Sequence, residues 1–267
     1  SSLSSLVIPD SVTSINNSAF CGCSSLSSLV IRVTGASIVD RAFKGCISLC
    51  RLAIHAKIVI PDGVTSIGHS AFRYCESLEC IVIPDSVTSI GDWAFYYCES
   101  LSNLVFPNSI TSIGACAFEW CRSLTDIVIP DSVVNLNGNP FCGWYGELKC
   151  LSPYFIYENN VLFDKDKSTI ISFRDQDTTS YVIPAGVTSI GDCAFEGCES
   201  LNSLVIPNSV TSIGESAFSF SSLRSFLIRS VRISLIHLDT CSSANATFAS
   251  LYEHFTAKSY STGNLVA

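Results

Sequence analysis

Charged side chains are scarce in this sequence, and long apolar runs are missing from it. Asp, Glu, Lys and Arg together make up 14% of the 267 residues, and the formal net charge is −8. The 15 lysines and arginines stand singly, so they do not form the basic patch that nucleic acid or an anionic membrane requires. No run reaches the roughly 18 apolar residues that indicate a transmembrane helix. The composition therefore predicts neither a nucleic-acid partner nor direct membrane insertion.

The short motifs of catalysis and cofactor binding are missing as well. The sequence has no Walker loop, GxGxxG fingerprint, GxSxG nucleophile elbow or HExxH zinc motif. Cys21 and Cys23 are too close together for a zinc knuckle, and the four histidines are isolated from one another. Asp164 and Asp166 form a carboxylate pair, but they lie in a predicted solvated turn. We predict no catalytic, cofactor-binding or metal-binding residues, with an active site built from distant residues as the alternative.

Methionine is also absent, and the chain starts inside a repeated unit, so we expect a fragment or a processed form of a longer product. That unit recurs along almost the whole sequence. It is marked by a phenylalanine, usually preceded by alanine, at intervals that are mostly 23 residues: Phe20, Phe43, Phe72, Phe95, Phe118, Phe141, Phe195 and Phe218. A period of 23 falls within the range of roughly 20–29 residues that is typical of leucine-rich repeats.

Each position of the unit has a physical interpretation. In the LxxLVIP segment alternate apolar residues point to one side, as in a short strand, and the proline ends the strand because it has no N–H to donate. Val87, Ile90, Ala94 and Phe95 then return apolar groups to the core. The glycine after the isoleucine is predicted to adopt positive φ, and Asn16 takes its place in the first unit. These glycines are Gly68, Gly91, Gly114, Gly191 and Gly214.

The repeated unit resembles that of the BspA-like leucine-rich repeat family. The segments IVIPDSVTSIGDWAFYYCESL (81–101) and LVFPNSITSIGACAFEWCRSL (104–124) show the pattern best, and the resemblance covers about Leu3 to Phe226. It implies a right-handed solenoid with a parallel β-sheet, little helix and an inserted β-hairpin. Because the open end of a solenoid must be covered, we also predict an irregular C-terminal cap. Since one coil cannot bury its own apolar face, the coils must stack.

We predict a single solenoid over residues 1–267, divided into four segments. A first repeat block covers 1–143, a β-hairpin insertion 144–180, a second repeat block 181–226 and a C-terminal cap 227–267. Phe248, Leu251, Tyr252 and Phe255 follow helical spacing, which predicts an amphipathic helix over 244–257. As alternatives to capping, that helix could dock a partner or lie on a membrane surface.

Fourteen cysteines raise the question of disulfides or metal. Six share one position of the unit: Cys23, Cys46, Cys75, Cys98, Cys121 and Cys198. Adjacent coils are about 4.8 Å apart, so we expect these thiols to form an inward ladder in which cysteine acts as a small buried apolar residue. Outside the ladder, we predict Cys142 with Cys150 as the best candidate pair for a disulfide.

Positions that face outward and vary between units are the candidate interaction surface. Three consecutive units carry an aromatic residue just before the ladder cysteine, where other units have glycine, and further aromatics are close in sequence. This candidate set is Tyr74, Tyr97, Trp120, Trp93, Tyr96, Trp144 and Tyr145. A second set consists of the middle valines of the LVI segments, Val82, Val105 and Val128. The alternatives are aromatic stacking that stabilises the coils and ordinary β-propensity of valine.

The family resemblance implies a binding module rather than an enzyme. We predict non-enzymatic recognition or adhesion through the solenoid face and its central aromatics, with a protein or a glycan as the ligand. We expect an extracellular or cell-surface location, and the sequons at Asn16 and Asn245 fit secretion. The alternative is a structural or bridging subunit of a larger assembly, intracellular or organellar.

Overall fold

The computed structural model describes residues 2–32, 38–49, 58–223, 225–228 and 234–235. The chain divides into two compact units, Ser1–Tyr157 and Glu158–Ala267. All regular elements of the described residues are β-strands. No helix among them is long and apolar enough to cross a membrane. The predicted helix over 244–257, and the predicted cap apart from two short strands, lie outside the described residues.

The first unit has two series of short parallel strands. One series comes from the LVI segments: β1 (Ser5–Ile8), β2 (Ser28–Ile31), β3 (Ile58–Val59), β5 (Ile81–Val82) and β8 (Asp126–Ile129). β10 (Glu147–Cys150) has a different sequence and continues this series by pairing in parallel with β8. The other comes from the TSI segments: β4 (Ser66–Ile67), β6 (Ser89–Ile90), β7 (Ser112–Ile113) and β9 (Asn135–Leu136). Strands pair in parallel one repeat apart, as in Ser5 with Ser28 and Ser66 with Ser89. β11 (Phe155–Glu158) lies at the boundary between the units.

The second unit begins with an antiparallel pair, β12 (Val161–Asp164) and β13 (Thr169–Phe173). In the turn between them the Asp164 carboxylate accepts hydrogen bonds from Ser168 Oγ at 2.6 Å and Thr169 N at 2.9 Å. Parallel strands follow: β14 (Ser180–Val182), β15 (Ser189–Ile190), β16 (Ser203–Ile206), β17 (Ser212–Ile213), β18 (Ser225–Ile228) and β19 (Ser234–Leu235). β13 pairs with β15 in parallel, so the hairpin supplies the first rung on which these coils stack.

A column of stacked phenylalanines forms the core of the first unit. Ring centroids of successive coils are 5.4–5.5 Å apart from Phe20 to Phe118 and 6.4 Å apart at Phe141. Phe72, Phe95 and Phe118 are completely buried. The spacing matches offset stacking, so each ring contacts the ring above and the ring below. This column, together with the buried valines and isoleucines, confirms the predicted stacking of the coils.

The prolines close tight turns, as the sequence predicts. The carbonyl oxygens of Pro9, Pro61, Pro84 and Pro107 each accept a hydrogen bond from the N–H three residues later, at 3.1–3.3 Å. The strand therefore ends where the ladder loses a donor, and the chain turns at once toward the opposite wall.

The prediction of positive φ at the glycine after the isoleucine is wrong. Gly68, Gly91 and Gly114 are not among the residues with positive φ. An added Cβ would instead approach the preceding coil too closely: at Gly91 it would lie 2.7 Å from His69 N, and at Gly114 2.3 Å from Asp92 N. Glycine is needed here because two backbones meet at this point.

Five of the six ladder cysteines are buried as predicted, whereas Cys23 is only partly buried. Buried ladder thiols also bond between coils: the Sγ–H donates to the carbonyl of the phenylalanine one coil earlier, at 3.3 Å from Cys46 to Phe20 O and 3.2 Å from Cys98 to Phe72 O. Cys75 and Cys121 repeat the same contact at 3.2 Å. Burial raises the pKa of Cys46 to about 12, so the thiol stays protonated and remains a donor.

Candidate functional site

Four partly exposed aromatic side chains from three consecutive coils form one cluster in the first unit. Tyr74 and Tyr97 are 5.7 Å apart between ring centroids, and Tyr97 and Trp120 are 6.0 Å apart. Tyr96 contacts both tyrosines, edge-on to Tyr74 at 5.4 Å and tilted to Tyr97 at 4.8 Å. The structure thus brings together four of the seven aromatic residues of the predicted interaction surface. We call these four residues the aromatic surface.

Three members of the aromatic surface occupy a left-handed backbone position. The φ angles are 62° at Tyr74, 58° at Tyr97 and 58° at Trp120, and the glycines at the same position of other units have φ of 71° and 75° (Gly22 and Gly45). Glycine adopts this conformation without strain, whereas a residue with a Cβ loses about 1 kcal/mol. These side chains are therefore present at some cost to the stability of the coil.

Hydrogen bonds between coils impose this conformation whatever the side chain. The N–H of Tyr74 donates to Tyr96 O at 2.8 Å, and that of Tyr97 donates to Glu119 O at 2.8 Å. The glycine coils make the same bond, from Gly22 N to Lys44 O at 2.7 Å. The backbone geometry is thus common to all of these coils, and only the displayed side chain differs.

A glycine at the end of the row makes room for the Trp120 indole. Gly143 occupies the same position one coil later and has φ of 60°. A Cβ built on Gly143 would lie 2.8–2.9 Å from ring atoms of Trp120, closer than any stable contact. The indole therefore rests directly on the Gly143 backbone. Sequence reasoning missed this contact, although the change from aromatic to glycine in the row is a visible signal for it.

Two arginines pack against the aromatic surface. The Arg73 guanidinium carbon lies 4.4 Å from the Tyr96 ring centroid and 4.9 Å from that of Tyr74, and Nη2 donates to Tyr74 Oη at 3.2 Å. Arg73 Nε is buried and has no hydrogen-bond partner among the residues that the structure describes. Arg122 stacks on Trp120 at 5.1 Å. Cation–π contacts of this kind hold the rings in fixed positions and place positive charge beside them.

Burial and a neighbouring acid keep the phenols protonated. The pKa of Tyr96 is raised, first by loss of hydration and then by the carboxylate of Glu119, a residue that is only 4% exposed. The pKa of Tyr97 is also raised, again mainly by burial, with Glu119 adding to the effect and Arg122 opposing it. Both hydroxyls therefore remain hydrogen-bond donors well above neutral pH.

The other predicted aromatics lie in different surroundings. Trp93 is partly exposed and packs edge-on against His69 at 5.1 Å. Tyr145 is exposed. The inclusion of Trp144 in an interaction surface is wrong: its side chain is 1% exposed, it packs on Phe141 at 5.6 Å, and its Nε1 donates to Leu124 O at 2.6 Å. Trp144 fills the core at the edge of the repeat block.

The middle valines of the LVI segments are exposed along the sheet of the first unit. Val82, Val105 and Val128 are 38%, 73% and 40% exposed, and Val59 pairs in register with Val82. We call these residues, together with Val7, Val30 and Val59, the valine row. Alternation explains the row, because the residue after each of these valines is buried; it is a phenylalanine after Val105 and an isoleucine after the others.

The disulfide predicted between Cys142 and Cys150 is wrong for this structure. Cys142 Sγ lies 3.6 Å from Cys116 Sγ, and both side chains are buried. Cys150 Sγ instead contacts the carbonyl oxygens of Ser152 at 3.8 Å and Phe155 at 3.9 Å. The short separation in sequence suggested the pair, but in the structure the two sulfur atoms contact different groups.

Comparison with solved structures finds leucine-rich repeat proteins. A leucine-rich cell surface protein from Faecalibacterium prausnitzii is 26% identical, with a TM-score of 0.59, and the match covers 86% of this chain and 70% of that one. A leucine-rich repeat protein from Eubacterium ventriosum is 23% identical, with a TM-score of 0.67 and the same coverage. The pneumococcal vaccine antigen PcpA is 22% identical, with a TM-score of 0.53, and the match covers 84% of this chain and 50% of PcpA. No curated protein matches the chain.

The repeated unit itself identifies the family. The family model described as the BspA-type leucine-rich repeat region matches in six copies, over residues 1–59, 55–152 and 170–260. These ranges include the coils that carry the phenylalanine column, the cysteine ladder and the aromatic surface. The chain therefore belongs to the BspA-type leucine-rich repeat family.

Proposed function

We propose that this chain is a non-enzymatic recognition module that binds a macromolecular ligand through the aromatic surface. The observation that carries the proposal is the placement of Tyr74, Tyr97 and Trp120 at a left-handed position where sister coils have glycine. In each of three adjacent coils, the aromatic residue at this position therefore costs about 1 kcal/mol in backbone conformation relative to glycine. Such strain accumulates at functional sites, since glycine would be the more stable choice for the coil alone.

The chemistry of the aromatic surface suits a protein or a glycan. Tyrosine, tryptophan and arginine dominate the residues that contribute most to binding energy at protein interfaces. Partly exposed rings also provide flat apolar faces for a sugar ring, while the protonated phenols and the arginines supply directional hydrogen bonds. Ring–ring and cation–π contacts fix these groups before a ligand arrives, which lowers the entropic cost of binding.

The relatives support a surface role. The Faecalibacterium relative, at 26% identity over 86% of this chain, is named as a cell surface protein. A solenoid of stacked coils offers the extended face that repeat proteins use for binding. We therefore propose a role in adhesion or recognition at the outside of a cell.

The test compares one double variant and one single variant, with all substitutions at equivalent backbone positions. Tyr97→Gly with Trp120→Gly removes two rings of the aromatic surface and installs the residue that sister coils carry. Phe220→Gly is the matched control, because Phe220 has φ of 51° and is 61% exposed at the same position of a coil in the second unit. Each protein is applied to one array of purified extracellular proteins and one array of glycans.

We expect the wild-type chain and Phe220→Gly to bind the same set of ligands. The double variant should bind them at least about 30-fold more weakly, as the loss of two central aromatic contacts predicts. Equal binding by the double variant and the wild type would contradict the proposal, provided that circular dichroism shows both to be folded.

The valine row favours a second candidate function, that of a structural subunit bridging larger partners. Six valines at the same position of the unit are exposed in the first unit, and exposed apolar side chains that recur in this way can form a protein contact. Under this hypothesis Val105→Lys, at the most exposed valine of the row, abolishes co-purification at fixed stoichiometry. Retention of all partners by Val105→Lys, with their loss on Tyr97→Gly, would favour recognition through the aromatic surface instead.

A further inference from the structure

Two cysteines outside the ladder touch each other across neighbouring coils. Cys116 Sγ and Cys142 Sγ are 3.6 Å apart, although the residues are 26 positions apart in sequence. Their side chains are 3% and 1% exposed. To form a disulfide bond, with a length near 2.05 Å, the two sulfur atoms must approach each other by roughly 1.6 Å.

The backbone on either side keeps the two thiols together. Cys116 N donates to Asn139 O at 2.8 Å, and Trp120 N donates to Cys142 O at 3.3 Å. These bonds belong to the regular ladder between the two coils, so the approach of the sulfur atoms is built into the stacking. Cys142 Sγ also lies 3.2 Å from Asn139 O, close to the point where the Cys116 backbone joins the next coil.

The ladder cysteines provide a contrast within the same fold. Cys98 Sγ and Cys121 Sγ each point at a main-chain carbonyl of the preceding coil, at 3.2 Å. Their thiols thus make the same kind of hydrogen bond in coil after coil. Cys116 and Cys142 stand at other positions of the repeat, and there the sulfur atoms of two coils face each other.

We propose that Cys116 and Cys142 form a disulfide that cross-links two coils when the chain folds in an oxidising compartment. The oxidant is a small-molecule disulfide such as oxidised glutathione. One protein thiolate attacks the glutathione disulfide and releases one reduced glutathione, and the second protein thiolate then displaces the other. Two S–H bonds and one glutathione S–S bond break, one protein S–S bond forms, and both protons end on reduced glutathione.

Because both sulfur atoms are buried in the folded chain, the thiol–disulfide exchange takes place before folding is complete. In the stacked coils neither sulfur is open to a glutathione molecule, so the reaction occurs while the two coils are still docking. Once formed, the bond lies within the fold and is protected from reductants, as structural disulfides are. The proposal is therefore about oxidative folding of the whole chain rather than about a switch on the folded surface.

Peptide mapping after oxidative refolding tests the proposal directly. The full chain is reduced, unfolded and diluted into a buffer of reduced and oxidised glutathione, and the remaining thiols are then blocked with iodoacetamide. After proteolysis, mass spectrometry should find one peptide pair joined through Cys116 and Cys142, lighter by two hydrogen atoms than the sum of the reduced peptides. Alkylation of both residues, or linkage of either one to another cysteine, would overturn the proposal.

A stability measurement gives a second and independent readout. The urea midpoint of the oxidised wild-type chain should exceed that of the reduced chain, and Cys142→Ser should abolish this redox-dependent difference. Cys98→Ser is the matched control, since it alters a ladder thiol and should leave the redox-dependent difference intact. If Cys142→Ser fails to fold, Cys116→Ser replaces it, and the peptide map of the wild-type chain still decides the outcome.

Discussion

Close approach of neighbouring coils, rather than backbone conformation, dictates glycine after the isoleucine, and this can be tested by a graded series in the second unit. A Cβ on Gly186 would meet nothing within 4 Å. On Gly191 it would lie 2.9 Å from Ile170 O, and on Gly214 it would lie 2.3 Å from Asp192 Oδ1 and 2.4 Å from Asp192 N. None of the three glycines has positive φ. A glycine-to-alanine substitution therefore places a methyl group in open space at Gly186, in a tight contact at Gly191 and in a steric clash at Gly214.

The expected free energies of unfolding follow from these distances. Gly186→Ala should stabilise by about 0.5 kcal/mol, because alanine lowers the entropy of the unfolded chain and has room in the folded one. Gly191→Ala should destabilise by about 1 kcal/mol, since a carbonyl oxygen must move by a few tenths of an ångström. Gly214→Ala should destabilise by about 3 kcal/mol, because backbone atoms must separate by roughly 1 Å to regain van der Waals distance.

Urea unfolding followed by circular dichroism measures the three values. Hydrogen exchange of the Thr211 amide, which bonds to Thr188 O at 2.8 Å, reports on the same coils locally. The order of stability should be Gly186→Ala, wild type, Gly191→Ala and Gly214→Ala. Equal stabilities for Gly186→Ala and Gly214→Ala would refute the close-approach explanation.

Three further predictions concern the first unit. Phe95→Ala should lower the free energy of unfolding by about 3–5 kcal/mol in urea titrations, because the buried ring stacks on both neighbouring coils; a loss below about 1 kcal/mol would contradict a continuous column. Burial raises the pKa of Cys46 to about 12 and that of Cys98 well above 9.0, so their stabilisation is complete below the unfolded pKa and is lost as pH rises. The free energy of unfolding should therefore fall by about 1.4 kcal/mol per buried thiol between pH 8 and pH 10. In Cys98→Ala this decrease should be smaller by about the contribution of one thiol. Asp92→Ala deletes the acceptor of the Ala115 N–H, now bonded at 2.8 Å, and should cost about 1–2 kcal/mol in the same titration, whereas Asp92→Asn, which keeps an acceptor oxygen, should cost less.

The repeating positions of the fold were predictable because they follow from the spacing of apolar residues and from the backbone properties of proline. Pro84 and Phe95 recur at a fixed interval, and only a stack of coils buries every copy of such a unit. The same interval placed Tyr74, Tyr97 and Trp120 one above another, since a position shared in sequence becomes a row in space.

The remaining features depend on interatomic distances between coils, which cannot be predicted from the repeat period. Gly114 looks the same in sequence whether it is required by a positive φ or by the backbone of Asp92. Trp144 lies near the aromatic surface in sequence, yet its position at the edge of the repeat block turns it into the core. The contact of Cys116 with Cys142 joins two different positions of the unit, so alignment of the repeats does not reveal it.

At the left-handed position, which carries glycine in some coils and an aromatic ring in others, the backbone conformation does not depend on the side chain. This conformation is fixed by a main-chain hydrogen bond to the next coil, so the side chain is free to change while the scaffold stays the same. Under the proposed function, single codon changes in successive units would each add or remove one aromatic group of the binding surface. The same property makes the row a natural place to install new specificities by design, one coil at a time.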